Sequence, residues 1–276
     1  MNIAIIGLGL MGGSLALSLK KLNFIKSVIG LDHNALHVEQ AKELNLVDKI
    51  VKLDEVKKAD VIFLAIPVDG VIKAFDDLKD VSENTTIIDL GSTKSKIVAS
   101  IPSEIRKNFV AAHPMTGTEN FGPLAAVEGL YEGSVVVLCD LENSGIPQAN
   151  IAKKIFKALK MKKYFMGASE HDRHAAFISH MPHAISYSIA NTVMNQENKH
   201  NILALAAGGF RSMSRLAKSS ATMWEDIFRQ NKGNVLEAIE LFEDELQILK
   251  KNIQEENWKD VHENIEGGNR LHDILD

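Results

Sequence analysis

The chain has 276 residues, enough for two ordinary domains with ample buried core. Apolar residues make up 45% and charged residues 24%, the balance of a soluble globular protein. The net charge of −5 argues against a nucleic-acid partner, and the single cysteine excludes an internal disulfide and suits a reducing cytoplasm.

The N-terminus "MNIAIIGLGLMGG" is apolar, but it has no basic region before it and glycines interrupt it, so it reads as neither signal peptide nor membrane span. It reads instead as a strand, "NIAIIG" (2–7), running into a helix that carries Leu15, Leu19 and Leu22. Gly7, Gly9 and Gly12 form G-x-G-x-x-G at that junction. In a dinucleotide-binding unit the first glycine allows the tight turn, the second lets the backbone approach a pyrophosphate, and the third lets helix and strand pack closely. Leu8, Leu10 and Met11 complete the loop and the helix N-terminus, whose N–H groups and dipole suit phosphate.

The next strand, "SVIGLD" (27–32), ends in Asp32. A carboxylate there accepts hydrogen bonds from the adenosine ribose and repels a 2′-phosphate, which favours NAD over NADP. "DVIFLAIP" (60–67) and "TTIIDLG" (85–91) end on the same carboxyl edge, so Pro67, Val68 and Ser92 should line the cleft. Val71, Phe75 and Leu78 mark the helix between those two strands.

"NFVAAH" (108–113) brings His113 to that edge. Oxidising an alcohol with a nicotinamide cofactor requires a base near neutrality, and histidine fits without much tuning. A histidine that merely packs the loop is the plain alternative; the neighbouring dinucleotide cleft favours the base. "SVVVLC" (134–139) makes Cys139 a buried thiol, and Ile151, Ile155 and Leu159 form a helix before "KYFM" (163–166). The alternation predicts an α/β, Rossmann-type domain over residues 1–167, with strands buried on both faces.

From Ser169 the β signal vanishes, predicting an all-α domain over 168–276. "SEHD" opens a helix with a serine cap and acids in its first turn. His180 and His183 share a helix face, with Pro182 kinking or restarting the helix. Zinc needs a third protein ligand that is not nearby, so no metal is expected; buried core histidines and contacts to an anionic substrate both stay open. "GGFRSMSRLAKSS" (208–220) puts Arg211, Arg215 and Lys218 on one side of a helix, where a guanidinium reaching a cleft would bind carboxylate. Leu236, Ile239, Phe242, Leu246, Leu249 and Ile253 make an apolar stripe that continues through Trp258, Val261 and Ile265. Such a stripe needs a partner, and a second copy of the chain is the expected one.

Taken together, "GLGLMGGSLA", "DLGSTK", "HPMTGTE", "EHDRHAAFISHMPH" and "GGFRSMSRLAKSSATMW" resemble the prephenate dehydrogenase family over nearly the whole chain. The resemblance implies oxidative decarboxylation of prephenate by NAD, giving 4-hydroxyphenylpyruvate in tyrosine biosynthesis. It implies that His113 accepts the proton of the ring C4 hydroxyl while hydride passes to nicotinamide, and that Ser92 bonds the hydroxyl and orients the histidine. It further implies substrate contacts from His183 and Arg215, with Glu119 and Trp224 in the site wall and its gating. One departure stands out: the family often carries an acid three residues before the arginine, and here that residue is Ser212. The chain also ends soon after the helical region, with no room expected for a regulatory domain. Arogenate is the alternative substrate. A β-hydroxyacid dehydrogenase would want an asparagine one turn beyond Lys218, where "SSAT" stands, and an NAD-sensing module would need no base.

Overall fold

In the computed structural model, which describes residues 1–275, eight strands form one sheet in the order β3-β2-β1-β4-β5-β6-β7-β8. They are β1 (Asn2–Ile6), β2 (Ser27–Leu31), β3 (Lys49–Ile50), β4 (Val61–Leu64), β5 (Thr86–Asp89), β6 (Phe109–Met115), β7 (Val135–Cys139) and β8 (Lys162–Met166). Neighbours are parallel except β6 and β7, which run antiparallel.

Alternate residues of each central strand feed two separate cores, as the pleat requires. Ile3, Ile5, Phe63, Ile88 and Val110 pack with the helices Leu10–Leu19 and Ile146–Ala158. Ala4, Ile62, Leu64, Ile87 and Phe109 pack with the helix Val68–Leu78, through its Val71, Phe75 and Leu78. Burial of each large side chain contributes about 1.5–3 kcal/mol. Both faces are therefore covered, and ligands have the strand ends left to them.

Register aligns those ends. Ile6 stands opposite Leu31 and Leu64, Leu64 opposite Asp89, and Asp89 opposite Ala111. The residues that follow (Gly7, Asp32, Ala65, Leu90 and Ala112) consequently emerge along one edge.

Beyond Met166 the described residues are helical or in turns, with no strand. The helix Ala168–Ala175 is capped by Gly167 rather than by Ser169, which lies inside its first turn. It runs through a single π turn, Ala176–His180, into the helix Met181–Met194, which holds Pro182 in its first turn. A proline has no N–H to donate, and the widened turn lets the chain continue without a break. The two-residue edge strand β3 gave no periodic signal, because two residues are too few to show one.

The helical half is pinned to the sheet half at the helix Ala221–Gln230. Arg229 donates to Asp69 at 2.8 Å and Gln230 donates to its other oxygen at 2.7 Å. These donors, the Arg229 bond above all, hold the Asp69 carboxyl down at about 2, although its burial acts the other way. No helix among the described residues is long and apolar enough to cross a membrane.

Beneath the β5 end lies a fully buried ion pair. Lys94 donates to Asp89 and, at 2.8 Å, to the carbonyl of Ala112. Asp89 also accepts from the backbone of Gly91 at 2.9 Å and of Ala112 at 3.2 Å. The pair thus fixes the β5 loop against the middle of β6. Lys94→Met removes one charge and strands the other, so unfolding in urea should show a loss of about 3–5 kcal/mol relative to the parent.

Candidate active site

Gly7 adopts φ +93°, and a Cβ there would lie 2.4 Å from the carbonyl oxygen of Ala65. At Gly12 a Cβ would lie 1.8 Å from the carbonyl oxygen of Gly7. Side chains are excluded at both points, whereas a Cβ on Gly9 would meet nothing within 4 Å. Close packing below and open space above, at the N-terminus of the helix Leu10–Leu19, make a cradle that fits a dinucleotide pyrophosphate. Leu8 and Leu10 are buried by their side chains, so only their backbone faces this cradle.

Asp32 accepts hydrogen bonds from the backbone of Leu8 at 2.8 Å and of Asn34 at 2.9 Å. It therefore ties the second strand to the glycine loop. The hydroxyl of buried Tyr131 donates to the carbonyl of Met11 at 2.8 Å, and Val127 donates to Ser14 Oγ at 2.8 Å. These two bonds anchor the loop that follows β6 onto the nucleotide-side helix. Pro67 is exposed and caps the next helix, while the Val68 side chain turns into the core and offers the cleft only its backbone.

Ser92 follows β5, and His113 lies in β6 two residues beyond Ala111, the last partner of β5, both half-buried. The His113 Nδ1 lies 2.8 Å from His171 Nε2, and His171 Nδ1 lies 2.9 Å from Asp172 Oδ1. Burial, together with the neighbouring His171, Lys94 and His180, pushes the His113 pKa well below 6.5. The ring is thus neutral at pH 7, as a base must be. Asp172 also accepts from the backbone of Lys94 at 2.7 Å and of Ser95 at 2.8 Å, at the start of the helix Ser95–Ala99. Its carboxyl is raised by burial, but the bonds from His171, Ser95 and Lys94 outweigh that and hold it below its ordinary value.

The other wall comes from the helical half. Trp224 stacks on His183, with ring centroids 3.5 Å apart and planes at 22°. His183 Nδ1 donates to the carbonyl of Ser179 at 2.9 Å. Burial lowers the His183 pKa against that bond, and the Arg215 charge lowers it further. Asn231 donates to His180 Nδ1 at 3.1 Å and to the carbonyl of Asp172 at 2.6 Å. Arg215 pairs with Glu119 at 3.2 Å across a cleft of about 540 Å³ that Phe210, Arg211, Lys218 and Leu203 also line.

Contacts therefore join His113 to His171 and, through Asp172 and Asn231, to His180, which with His183 packs on Trp224. Arg215, close enough to His183 for its charge to act there, lines the cleft with Glu119. The contributions of His171, Asp172, Asn231 and the Lys94–Asp89 pair had no sequence signal of their own. "EHD" reads as first-turn acids, yet Asp172 serves a different helix 78 residues away in the chain. Cys139 is buried as expected, and burial pushes its thiol up to about 12.

A family model described as "Prephenate dehydrogenase, nucleotide-binding domain" matches residues 15–165, and one described as "Prephenate dehydrogenase, dimerization domain" matches residues 167–266. The chain is 31% identical to the prephenate dehydrogenase of Bacillus subtilis over 269 residues, 94% of this chain and 72% of that protein. Among solved structures, prephenate dehydrogenase from Aquifex aeolicus in complex with hydroxyphenyl propionate and NAD+ matches with a TM-score of 0.92 at 31% identity, over 100% of this chain and 98% of that one. The arogenate dehydrogenase of Synechocystis matches with a TM-score of 0.82 at 25% identity, over 100% of both chains.

The buried histidines make stability depend on pH. His180 protonates near 6.5 when unfolded and at about 4 when folded, because burial lowers it, Asp172 opposes that, and His171 and His183 add to it. The stabilisation is complete above pH 6.5 and is lost as pH falls toward 4, by up to roughly 3 kcal/mol for this group. His113 and His183 act in the same direction. Urea unfolding at a series of pH values should show this slope, and His180→Gln should flatten it.

Proposed function

The chain belongs to the prephenate dehydrogenase family and is an NAD-dependent oxidoreductase; from that premise we propose that it oxidatively decarboxylates prephenate with His113 as the base. The observation that carries this reading is the common sheet edge, where the glycine cradle and Ser92 follow neighbouring parallel strands and His113 stands in β6 just beyond the last partner of β5. NAD, when bound, supplies the acceptor for a hydride from ring C4, and loss of the ring carboxylate as carbon dioxide restores an aromatic ring. The chain's own task is alignment and one proton transfer.

In this reading Gly7, Leu8, Gly9, Leu10, Met11 and Gly12 hold the pyrophosphate through backbone, Asp32 takes the ribose hydroxyls, and Pro67 and Val68 border the cofactor. His113 accepts the C4 hydroxyl proton on Nε2, since Nδ1 is engaged by His171. Ser92 bonds the same hydroxyl. Arg215 binds a substrate carboxylate, exchanging its exposed partner Glu119 for it, while His183 and Trp224 form the wall against the ring. Residues 1–167 thus hold NAD and supply Ser92 and His113, while 168–276 supply the remaining substrate contacts. The single buried thiol agrees with a cytoplasmic setting.

The helical half also carries the assembly. Leu236, Leu246, Ile253, Trp258 and Ile265 are 47–61% exposed in one chain. We assign this stripe to a homodimer interface, in keeping with the dimerization-domain match. Sedimentation equilibrium should give twice the chain mass, and Leu246→Asp with Ile253→Asp should give one chain mass.

NADH formation tests the chemistry, with prephenate and arogenate compared as substrates. His113→Asn should lower kcat by about 10²–10⁴ with NAD affinity retained. Arg215→Ala should instead act mainly on the prephenate KM. In the parent enzyme the acid limb of kcat should lie well below pH 6.5, since protonation of the lowered base abolishes turnover. A normal kcat in His113→Asn would remove that residue from the reaction.

A further inference from the structure

Behind His113 stands a chain of contacts that, with both imidazole rings uncharged, has one consistent arrangement of protons. Asp172 is held by two backbone N–H groups and is an acceptor only, so His171 Nδ1 must carry the proton it donates to Oδ1. A neutral His171 then has a bare Nε2. That atom can only accept, so His113 Nδ1 carries the proton between the two rings, which meet edge to face with centroids 5.0 Å apart. His113 Nε2 is left bare.

We propose that His171 and Asp172 are positioning residues that fix His113 in its Nδ1–H tautomer and receive the charge of the proton it abstracts. As His113 Nε2 gains the substrate hydroxyl proton, the Nδ1 proton passes to Nε2 of His171. One proton enters the His113 ring and one leaves it. The positive charge ends on an imidazolium that touches the Asp172 carboxylate.

The surroundings favour that destination. The charged and titratable groups facing the two rings are Lys94 from the β5 loop, His180 from the π turn, and Asp172 beside His171. Lys94 is already matched by Asp89, and His180 accepts from Asn231 on Nδ1. A charge kept on His113 would sit among cationic or neutral groups, whereas on His171 it sits 2.9 Å from a carboxylate oxygen. In a buried site that contact is worth far more than in water.

The proposal rests on His113 being the base, and the two ideas fail separately. In ¹⁵N-histidine-labelled enzyme, long-range ¹H–¹⁵N spectra should show both His113 and His171 as Nδ1–H tautomers; His113 found as Nε2–H would overturn the proposal. His171→Gln keeps an acceptor for His113 Nδ1 but cannot carry the proton. It should lower kcat on the order of 10–10²-fold and move the acid limb of kcat to lower pH, with NAD Kd and prephenate KM held within about twofold. An unchanged kcat and pH profile in His171→Gln would equally overturn it. Full activity in His113→Asn would instead remove the base assignment, leaving the tautomer result to stand as a structural fact.

Discussion

The Asp172 carboxylate is the contact on which the arrangement of the site depends. It comes from the first helix after the sheet, yet one of its oxygens meets the backbone of Lys94, the other that of Ser95, and the first also meets His171. Through those bonds it caps the helix that follows the Ser92 loop and sets the ring behind His113. Hydroxyl donor and base therefore share one support that neither of their own strands provides. Few groups could do this: an ionised carboxylate has lone pairs enough for several donors, and charge-assisted bonds are the strong ones.

That support divides the pocket into a fixed side and an adjustable one. On the fixed side, Asp172, itself held by Asn231, and the Asp69–Arg229–Gln230 cluster tie helical half to sheet half with buried or multiply shared bonds. Across from it, Arg215 and Glu119 make a single exposed pair, worth at most about 1 kcal/mol. Ser212 adds no second carboxylate to hold the arginine. A substrate carboxylate has little to displace there, while the histidines beneath stay in register with the sheet. Opening the rim costs little; disturbing the floor means breaking buried bonds.

Much of this was legible in the sequence, for identifiable reasons. The central strands announce themselves because burial on both faces demands unbroken apolar runs, and the glycine loop does so because sterics leave no other residue at Gly7 and Gly12. The edge strand β8, expected to be buried likewise, leaves Tyr164 and Phe165 exposed, because it ends the sheet and no strand lies beyond it among the described residues. Although β6 continues past it to Met115, pairing there with β7, His113 was legible from the apolar run that leads to it. Its partners were not. His171 and Asp172 lie in a polar helix start, where periodicity carries no information about contacts 58 and 78 residues away along the chain. Val68 was placed on the cleft by its position, whereas its side chain follows the helix into the core. Pro182 suggested an irregularity, but its form, a π turn that keeps two helices continuous, depends on packing against Val235 and Ala238.

The distribution of charge follows from what each part of the pocket must do. At the floor, burial keeps His113, His180 and His183 uncharged, and the one lysine present is fully matched by Asp89. Arg211, Arg215 and Lys218 put an excess of positive charge over the single carboxylate of Glu119 at the rim, where water can still solvate it. Reversing this layout would defeat the chemistry. A cation beside His113 without a counter-charge would depress its basicity further, and a neutral rim would offer a dianion nothing to bind. The floor must be neutral for a base to accept a proton, and the rim must be positive for an anion to reach it. Asp172, by bonding the backbone of Lys94 and Ser95 as well as His171, joins the half that carries His113 to the half that carries Arg215, so that both needs are met side by side.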